Sequence, residues 1–226
     1  MVEEALIPGA SLFYNIRMKN MTITKRILTL CAVCGLLSGC AYLFPSDNEE
    51  LPRYTEPRYD TEEPIQLKVS KINVISEFTP SFTRPHVEHL FPVSIEKTAK
   101  LWANDRLKAV DFSSPNVADV IIKDASVTET LEPNDKMWAK DRVKYKAKLI
   151  VALRIHNPDN MSEATTQVEG WRELTIDAGT DIAEKEQYWS SMVDKLFDDY
   201  NNKMTANVYQ YLNLYVVNQP LVPTYY

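Results

Sequence analysis

Alternation of apolar and polar side chains over residues 143–156 is the feature that most constrains the fold. The segment VKYKAKLIVALRIH keeps one parity wholly apolar and begins the other with Lys144, Lys146 and Lys148. A period of two residues is that of a β-strand with one buried face and one wet face. We therefore predict a strand whose lysine row lies on the solvated side of a sheet.

Three other segments favour strands, namely residues 65–78, 118–131 and 164–176. The first is rich in β-branched side chains and changes parity near Ser70, which indicates a bulge. The last carries glutamates on its polar parity. If it pairs with the lysine-rich strand, carboxylates oppose ammonium groups across the ladder.

Two segments have helical spacing. Ser94 is suited to cap a helix whose apolar positions recur every three or four residues as far as Val110. Asp181 and Glu184 fit a capping box before a long amphipathic helix whose apolar positions reach Tyr215. At 1.5 Å per residue this helix would be about 50 Å long, so one end is expected to project beyond a four-stranded sheet.

The element order β-α-β-β-β-α predicts an α+β fold. We expect a two-layer sandwich: a four-stranded, mostly antiparallel sheet with two helices on one face, the long one C-terminal. Residues 65–216 have the size of one domain. Residues 217–226 are expected to form a flexible tail.

Residues 45–64 read PSDNEELPRYTEPRYDTEEP, with four prolines, many carboxylates and few aliphatic side chains. This composition is typical of a disordered spacer, so residues 40–64 are expected to be a tether. Pro-Arg-Tyr occurs twice, at 52–54 and 57–59. The repeat is either a short docking motif or part of a solvated spacer.

The N-terminal region has the pattern of a leader. Basic residues between positions 19 and 26 precede an apolar run over residues 27–37, which has the length of a signal-peptide core. Translation from Met18 or Met21 would leave residues 1–17 outside this leader, which ends at residue 39. The run closes on Leu37, Ser38, Gly39 and Cys40.

These four residues resemble the lipobox of bacterial lipoproteins. The resemblance implies a cleavage motif at Leu37, Ser38 and Gly39, acylation of the Cys40 thiol by diacylglycerol, and a second acylation at the new amino terminus. Two acyl signals give stable anchoring, whereas one chain binds reversibly. The alternative is a transmembrane anchor over residues 27–44, which are uncharged and at the lower limit of spanning length.

Position 41 is Ala, not the Asp that the resemblance associates with retention at the inner membrane. The expected location is the periplasmic face of the outer membrane, with the inner membrane as the alternative. Residues 86–92 (HVEHLFP), 102–107 (WANDRL) and 121–127 (IIKDASV) are similar to an uncharacterised alphaproteobacterial lipoprotein family. Element order resembles small α/β lipoproteins that assist outer-membrane assembly and envelope transport.

Cysteine usage and charge exclude several classes of function. The cysteines are Cys31, Cys34 and Cys40, so cleavage and acylation would leave no thiol for a disulfide, a thiolate metal site or a nucleophile. Removing the four basic and two acidic residues before Cys40 changes the formal charge from −6 to −8. Nucleic acid is therefore not an expected partner.

The chain gives little sign of catalysis, and we predict no catalytic residue, metal or cofactor. Gly170 and Gly179 are the only glycines after Cys40, so a phosphate-binding loop cannot be built. His86 and His89, with Glu88, offer zinc ligands, but no third partner is evident. We expect this segment instead to pack a histidine and Phe91 onto a helix.

Four aromatic or thioether side chains are candidate partner contacts: Met137, Trp138, Tyr211 and Tyr215. Met137 and Trp138 lie among charges in a loop and either meet a partner or fold back onto the core. The predicted function is a non-enzymatic accessory or scaffold of an envelope assembly or transport complex. The alternatives are a carrier of lipid or another apolar ligand and a cell-wall hydrolase.

Overall fold

The computed structural model describes residues 54–133 and 140–217. Seven strands and two helices make up these residues, with single 3₁₀ turns at Glu88–Leu90 and Asn213–Tyr215. The strands are β1 (Ile65–Leu67), β2 (Lys71–Ser76), β3 (Leu107–Ala109), β4 (Val117–Asp124), β5 (Val127–Glu132), β6 (Arg142–Asn157) and β7 (Ser162–Asp177). The helices are α1 (Ile95–Arg106) and α2 (Ile182–Tyr211). The α+β class and the long C-terminal helix are confirmed.

The large sheet is organised around β6. Strand β7 pairs antiparallel with β6 along its whole length. The opposite edge of β6 is shared by β4 and β5, and β2 pairs parallel with β4. This sheet has five strands rather than four, because the strand predicted over residues 118–131 is interrupted. The Asp124 carboxylate accepts a hydrogen bond from Ser126 N (3.1 Å) at the break between β4 and β5.

The predicted bulge near Ser70 is a change of sheet. Strand β1 pairs parallel with β3 in a separate small sheet, and Val216 bridges to Leu67 on the other edge of β1. Val69 N donates to Leu67 O (2.8 Å), and this tight turn redirects the chain so that β2 pairs with β4. The change in the apolar alternation near Ser70 indicates the turn, but it does not indicate that β2 pairs with β4.

The lysine row of β6 lies on the open face of the sheet, as predicted. Lys146 is directly opposite Glu173 of β7, and Lys144 Nζ lies 2.9 Å from the Glu173 carboxylate. Lys148 Nζ lies 3.7 Å from Glu169. Solvent screens pairs at this exposure, so they favour the register of the two strands more than they add to stability.

Helix α2 begins with half of the predicted capping box. The Asp181 carboxylate accepts from Ala183 N and Glu184 N, while the Glu184 carboxylate accepts from Tyr188 Oη (2.8 Å). The helix has 30 residues and is about 45 Å long. Its buried residues begin at Trp189, so the first two turns project beyond the core.

Large aromatic side chains fill the space between the sheet and the helices. Trp102 of α1 packs edge-on against Tyr200 of α2, with ring centroids 4.9 Å apart. Gly170 of β7 lets α2 approach closely, since a Cβ there would lie 3.3 Å from Leu196 Cδ1. Phe91 stacks on Trp189 (4.8 Å), which confirms that its loop packs on a helix.

Candidate interaction sites

The second Pro-Arg-Tyr repeat docks on the domain. Arg58 Nε and Nη2 donate to the two carboxylate oxygens of Asp105 in α1, at 2.7 and 2.8 Å. Tyr59 N donates to Asp105 Oδ2 (3.1 Å), and the Tyr59 side chain is only 6% exposed. We call residues 54–64 the strap. The prediction that disorder extends to residue 64 is wrong for this part, because a buried aromatic and a bidentate ion pair hold it in place.

A buried arginine extends this attachment to both helices. Arg106 is 5% exposed and donates to Asn201 Oδ1 (3.2 Å), Thr205 Oγ1 (3.3 Å) and the Glu63 carbonyl. Trp102 Nε1 donates to the same Asn201 oxygen (2.8 Å). One guanidinium therefore joins α1, α2 and the strap.

The strap removes residues 54–64 from the predicted tether. The rest of that prediction, residues 40–53, lies outside the described residues. The signal in the sequence was the pair Arg58 and Tyr59 inside an otherwise acidic, proline-rich stretch. A bidentate cation and an aromatic ring are common in docking segments and unnecessary in a spacer.

Acid sensitivity of the strap follows from the Asp105 carboxyl. Hydrogen bonds from Arg58 lower its pKa, against an opposing effect of burial. The folded chain thus keeps Asp105 ionised at a lower pH than the unfolded chain does. The stabilisation is complete above the ordinary value near 4 and is lost as the pH falls through the folded-state pKa.

We expect Asp105→Asn to lower the free energy of unfolding at pH 7, and the difference from the native protein to shrink as the pH falls below the ordinary carboxyl value near 4. Urea unfolding of both proteins at pH 7, 5, 4 and 3 measures this. A difference between the two proteins that stays constant over this range would contradict the assignment.

A second charged cluster lies on the open face of the large sheet. Asp119 of β4 is buried and accepts from Asn73 Nδ2 (2.8 Å) and Arg154 Nη2 (2.7 Å), and His156 Nδ1 lies 3.4 Å from it. Burial opposes ionisation, but the bonds from Asn73 and Arg154 hold the pKa of Asp119 below its ordinary value. Arg154 balances the charge of the ionised carboxylate, so Asp119 is suited to a structural ion pair and not to the role of a general base. In the sequence, the only signal of this cluster is one acid, Asp119, inside an apolar run.

The histidines proposed as alternative zinc ligands have separate surroundings. His86 Nδ1 lies 3.8 Å from Glu88 Oε2, whereas the His89 ring contacts Phe82 with centroids 5.4 Å apart. Across residues 54–133 and 140–217, no three His, Cys, Asp or Glu side chains are grouped as metal ligands.

The structure places two of the predicted contact residues. Tyr211 is the last residue of α2 and is 60% exposed, while Tyr215 is half-buried and packs against the core. Met137 and Trp138 lie outside the described residues, between the end of β5 and the start of β6. Cys40 and its motif, Leu37, Ser38 and Gly39, also lie outside them.

Comparison with known proteins gives only remote likenesses. No family model matches the chain, and no curated protein matches it. The minor lipoprotein of Acinetobacter baumannii is similar in structure, with 13% identity over 68% of this chain and 99% of that one and a TM-score of 0.36. Rare lipoprotein B of Shewanella oneidensis has 11% identity over 60% and 97%, with a TM-score of 0.30.

A homologue of a putative neuraminyllactose-binding hemagglutinin from Helicobacter pylori has 13% identity over 65% of this chain and 93% of that one, with a TM-score of 0.26. Likenesses of this size assign neither fold nor function to this chain. In the described part of the chain, no helix has the length and apolar character needed to cross a membrane.

Proposed function

We propose that this chain is a lipid-anchored envelope protein, acylated at Cys40, that acts as a non-enzymatic accessory in an assembly or transport complex. The observation that carries the proposal is the run of basic residues, apolar residues and Leu-Ser-Gly-Cys ahead of the spacer. The proposed location is the periplasmic face of the outer membrane.

The polar clusters of the domain support an accessory role over an enzymatic one. Asp105 is paired with Arg58 and Asp119 with Arg154, so neither buried carboxylate is poised as a general base. Both belong to contacts that hold elements together.

The packing of the interior bears on the carrier alternative. Trp102, Phe197 and Tyr200 fill the space in which an apolar ligand would have to lie between sheet and helices. Binding there would require α1 and α2 to separate, so surface contact with a partner is better supported.

Trp138 is the side chain we propose for partner contact. We expect Trp138→Ala to reduce at least several-fold the amount of a specific envelope protein that co-purifies in mild detergent, because truncating a central aromatic typically costs 2 kcal/mol or more (about 30-fold). Quantitative mass spectrometry of the purified complex measures this.

Trp171→Ala is the matched control. Trp171 is an exposed tryptophan on the open sheet face, where its ring lies beneath Lys146 Nζ at 5.3 Å. Equal loss in both variants, or purification of the native protein as a lone monomer, would argue against the proposed contact.

A further inference from the structure

Four aromatic rings line one small cavity beside the start of α1. Most of the cavity wall comes from residues 77–94, the segment between β2 and α1, and the cavity has a volume of about 180 Å³. We call it the aromatic pocket. Its rings and carboxylates belong to Phe78, Phe82, His89, Phe91, Glu88 and Glu96.

The segment that forms this wall is fixed to the edge of the large sheet. Val87 N donates to Val127 O (2.9 Å) of β5, and Glu129 N donates back to Pro85 O (2.8 Å). Strand β5 therefore holds the segment in place on its outer edge. The pocket is preformed, as small-molecule sites usually are.

The rings differ in exposure. Phe91 is 8% exposed and stacks on Trp189, so its position is fixed by the core. Phe82 is 73% exposed, and its ring lies at 54° to that of His89 with centroids 5.4 Å apart. Two rings at this angle leave an open corner between them, which a parallel stack would close.

Glu88 brings a buried carboxylate to the pocket. Its side chain is 9% exposed, and its two oxygens accept from Ser81 N (2.8 Å) and Val127 N (3.4 Å). Within the described residues, no lysine or arginine lies within 4 Å of this carboxylate, and His86 Nδ1 lies 3.8 Å from it. Buried carboxylates are normally paired with a cation, so the pocket has negative charge to offer.

The other charged groups near the pocket are paired. Glu96 lies 2.6 Å from Lys100 Nζ, and Arg84 contacts Glu129. His89, the remaining titratable group of the lining, is exposed. The pocket therefore combines ring surfaces with the charge of one carboxylate, that of Glu88.

We propose that the aromatic pocket binds the methylated ammonium group of a small organic cation of the choline type. The face of an aromatic ring attracts a cation within about 6 Å of the ring centroid, and cages of such rings recognise quaternary ammonium groups. A sphere with the volume of the pocket has a radius of about 3.5 Å, so a nitrogen at its centre is within reach of the surrounding rings.

Other ligand classes fit this pocket less well. A metal ion requires several oxygen or nitrogen ligands, whereas most of this lining is carbon. Larger apolar ligands occupy pockets of about 300–1,000 Å³. A primary ammonium brings three hydrogen-bond donors, but two backbone N–H groups already bind the Glu88 carboxylate. A methylated ammonium needs charge and carbon surface and no acceptor.

Saturation-transfer NMR on the N-methyl protons of choline tests the site. The mature protein is kept in a maltoside detergent, which has no ammonium group. We expect saturable binding of choline and at least tenfold weaker binding of 3,3-dimethylbutan-1-ol, in which carbon replaces the nitrogen. Equal affinity for the two compounds, or no saturable binding of choline, overturns the proposal. The site does not depend on the proposed anchor at Cys40.

Variants of Phe82 locate the binding. We expect Phe82→Ala to weaken choline binding at least threefold and Phe82→Trp to strengthen it, because tryptophan is the best cation–π partner. Phe112→Ala is the matched control, since Phe112 is 80% exposed and lies outside the pocket lining. Equal losses in the two alanine variants, or a Phe82→Trp protein that binds no better than Phe82→Ala, would overturn this placement. Circular dichroism establishes that each variant is folded.

Glu88→Gln tests the charge. The amide keeps an oxygen that can accept from Ser81 N, so we expect at least a fivefold loss of affinity for choline and little change for the neutral alcohol. An equal change for both compounds would overturn the part assigned to the carboxylate.

The same head group exists as a free solute and on a lipid. Titration with dihexanoylphosphatidylcholine distinguishes these sources. Tighter binding of this lipid than of choline supports a lipid head group as the ligand, and tighter binding of choline supports a free solute. Absence of binding by both compounds overturns the site.

Discussion

Cys40→Ser is expected to abolish the mature, membrane-extracted form of the protein. The resemblance to the lipobox implies that acylation of the thiol precedes cleavage, so a hydroxyl at this position blocks both steps. Each buried CH₂ of an acyl chain contributes about 0.8 kcal/mol to membrane binding, and the variant lacks this contribution. Immunoblotting of fractionated cells should show a longer chain that retains the leader.

Cys34→Ser is the matched control for that variant. It makes the same chemical change six residues earlier, inside the apolar run, and should be processed like the native protein. A Cys40→Ser chain with the native mature mass would contradict the lipobox assignment.

Arg106→Ala is expected to lower the free energy of unfolding by about 3 kcal/mol. The guanidinium is almost fully buried, and its removal leaves the Glu63 carbonyl and Thr205 without this donor. Breaking buried charged hydrogen-bond networks typically costs 3–5 kcal/mol. Urea unfolding at neutral pH measures the change.

Arg58→Ala is the control. Arg58 also holds the strap to α1, through Asp105, but its side chain is half-exposed. Its cost should be clearly smaller than that of Arg106→Ala, because solvent screens an exposed guanidinium. Comparable losses from the two substitutions would mean that Arg106 is not the central tie between the helices and the strap.

The sequence predicts best those elements whose period is long and regular. Strands β6 and β7 and helix α2 show the expected period and agree within about two residues at most boundaries, apart from the C-terminal end of α2. Tyr188 and Tyr211 share the apolar stripe of α2 but are exposed, because the helix is longer than the sheet it covers. The spacing of apolar residues shows which face of a helix is buried. It does not show where along the helix the sheet that buries this face ends.

What the sequence could not predict depends on contacts between distant segments. Tyr59 is buried by a surface that exists only once α1 and α2 are side by side. The switch of partners between β1 and β2 likewise depends on which strands are near. Asp119 is satisfied by Asn73, 46 residues before it, and by Arg154, 35 residues after it. The pattern of residues within one strand or helix does not indicate which distant segment will contact it.

The central claim is that Cys40 becomes the acylated first residue of an anchored protein. Intact-mass measurement of the protein extracted from bacterial membranes, together with sequencing of its N-terminal peptide, tests this most directly. We predict a chain that begins at Cys40 and carries a diacylglyceryl group and an amide-linked acyl chain. An unprocessed chain with an unmodified Cys40 and residues 27–44 still attached would contradict it and support a transmembrane anchor.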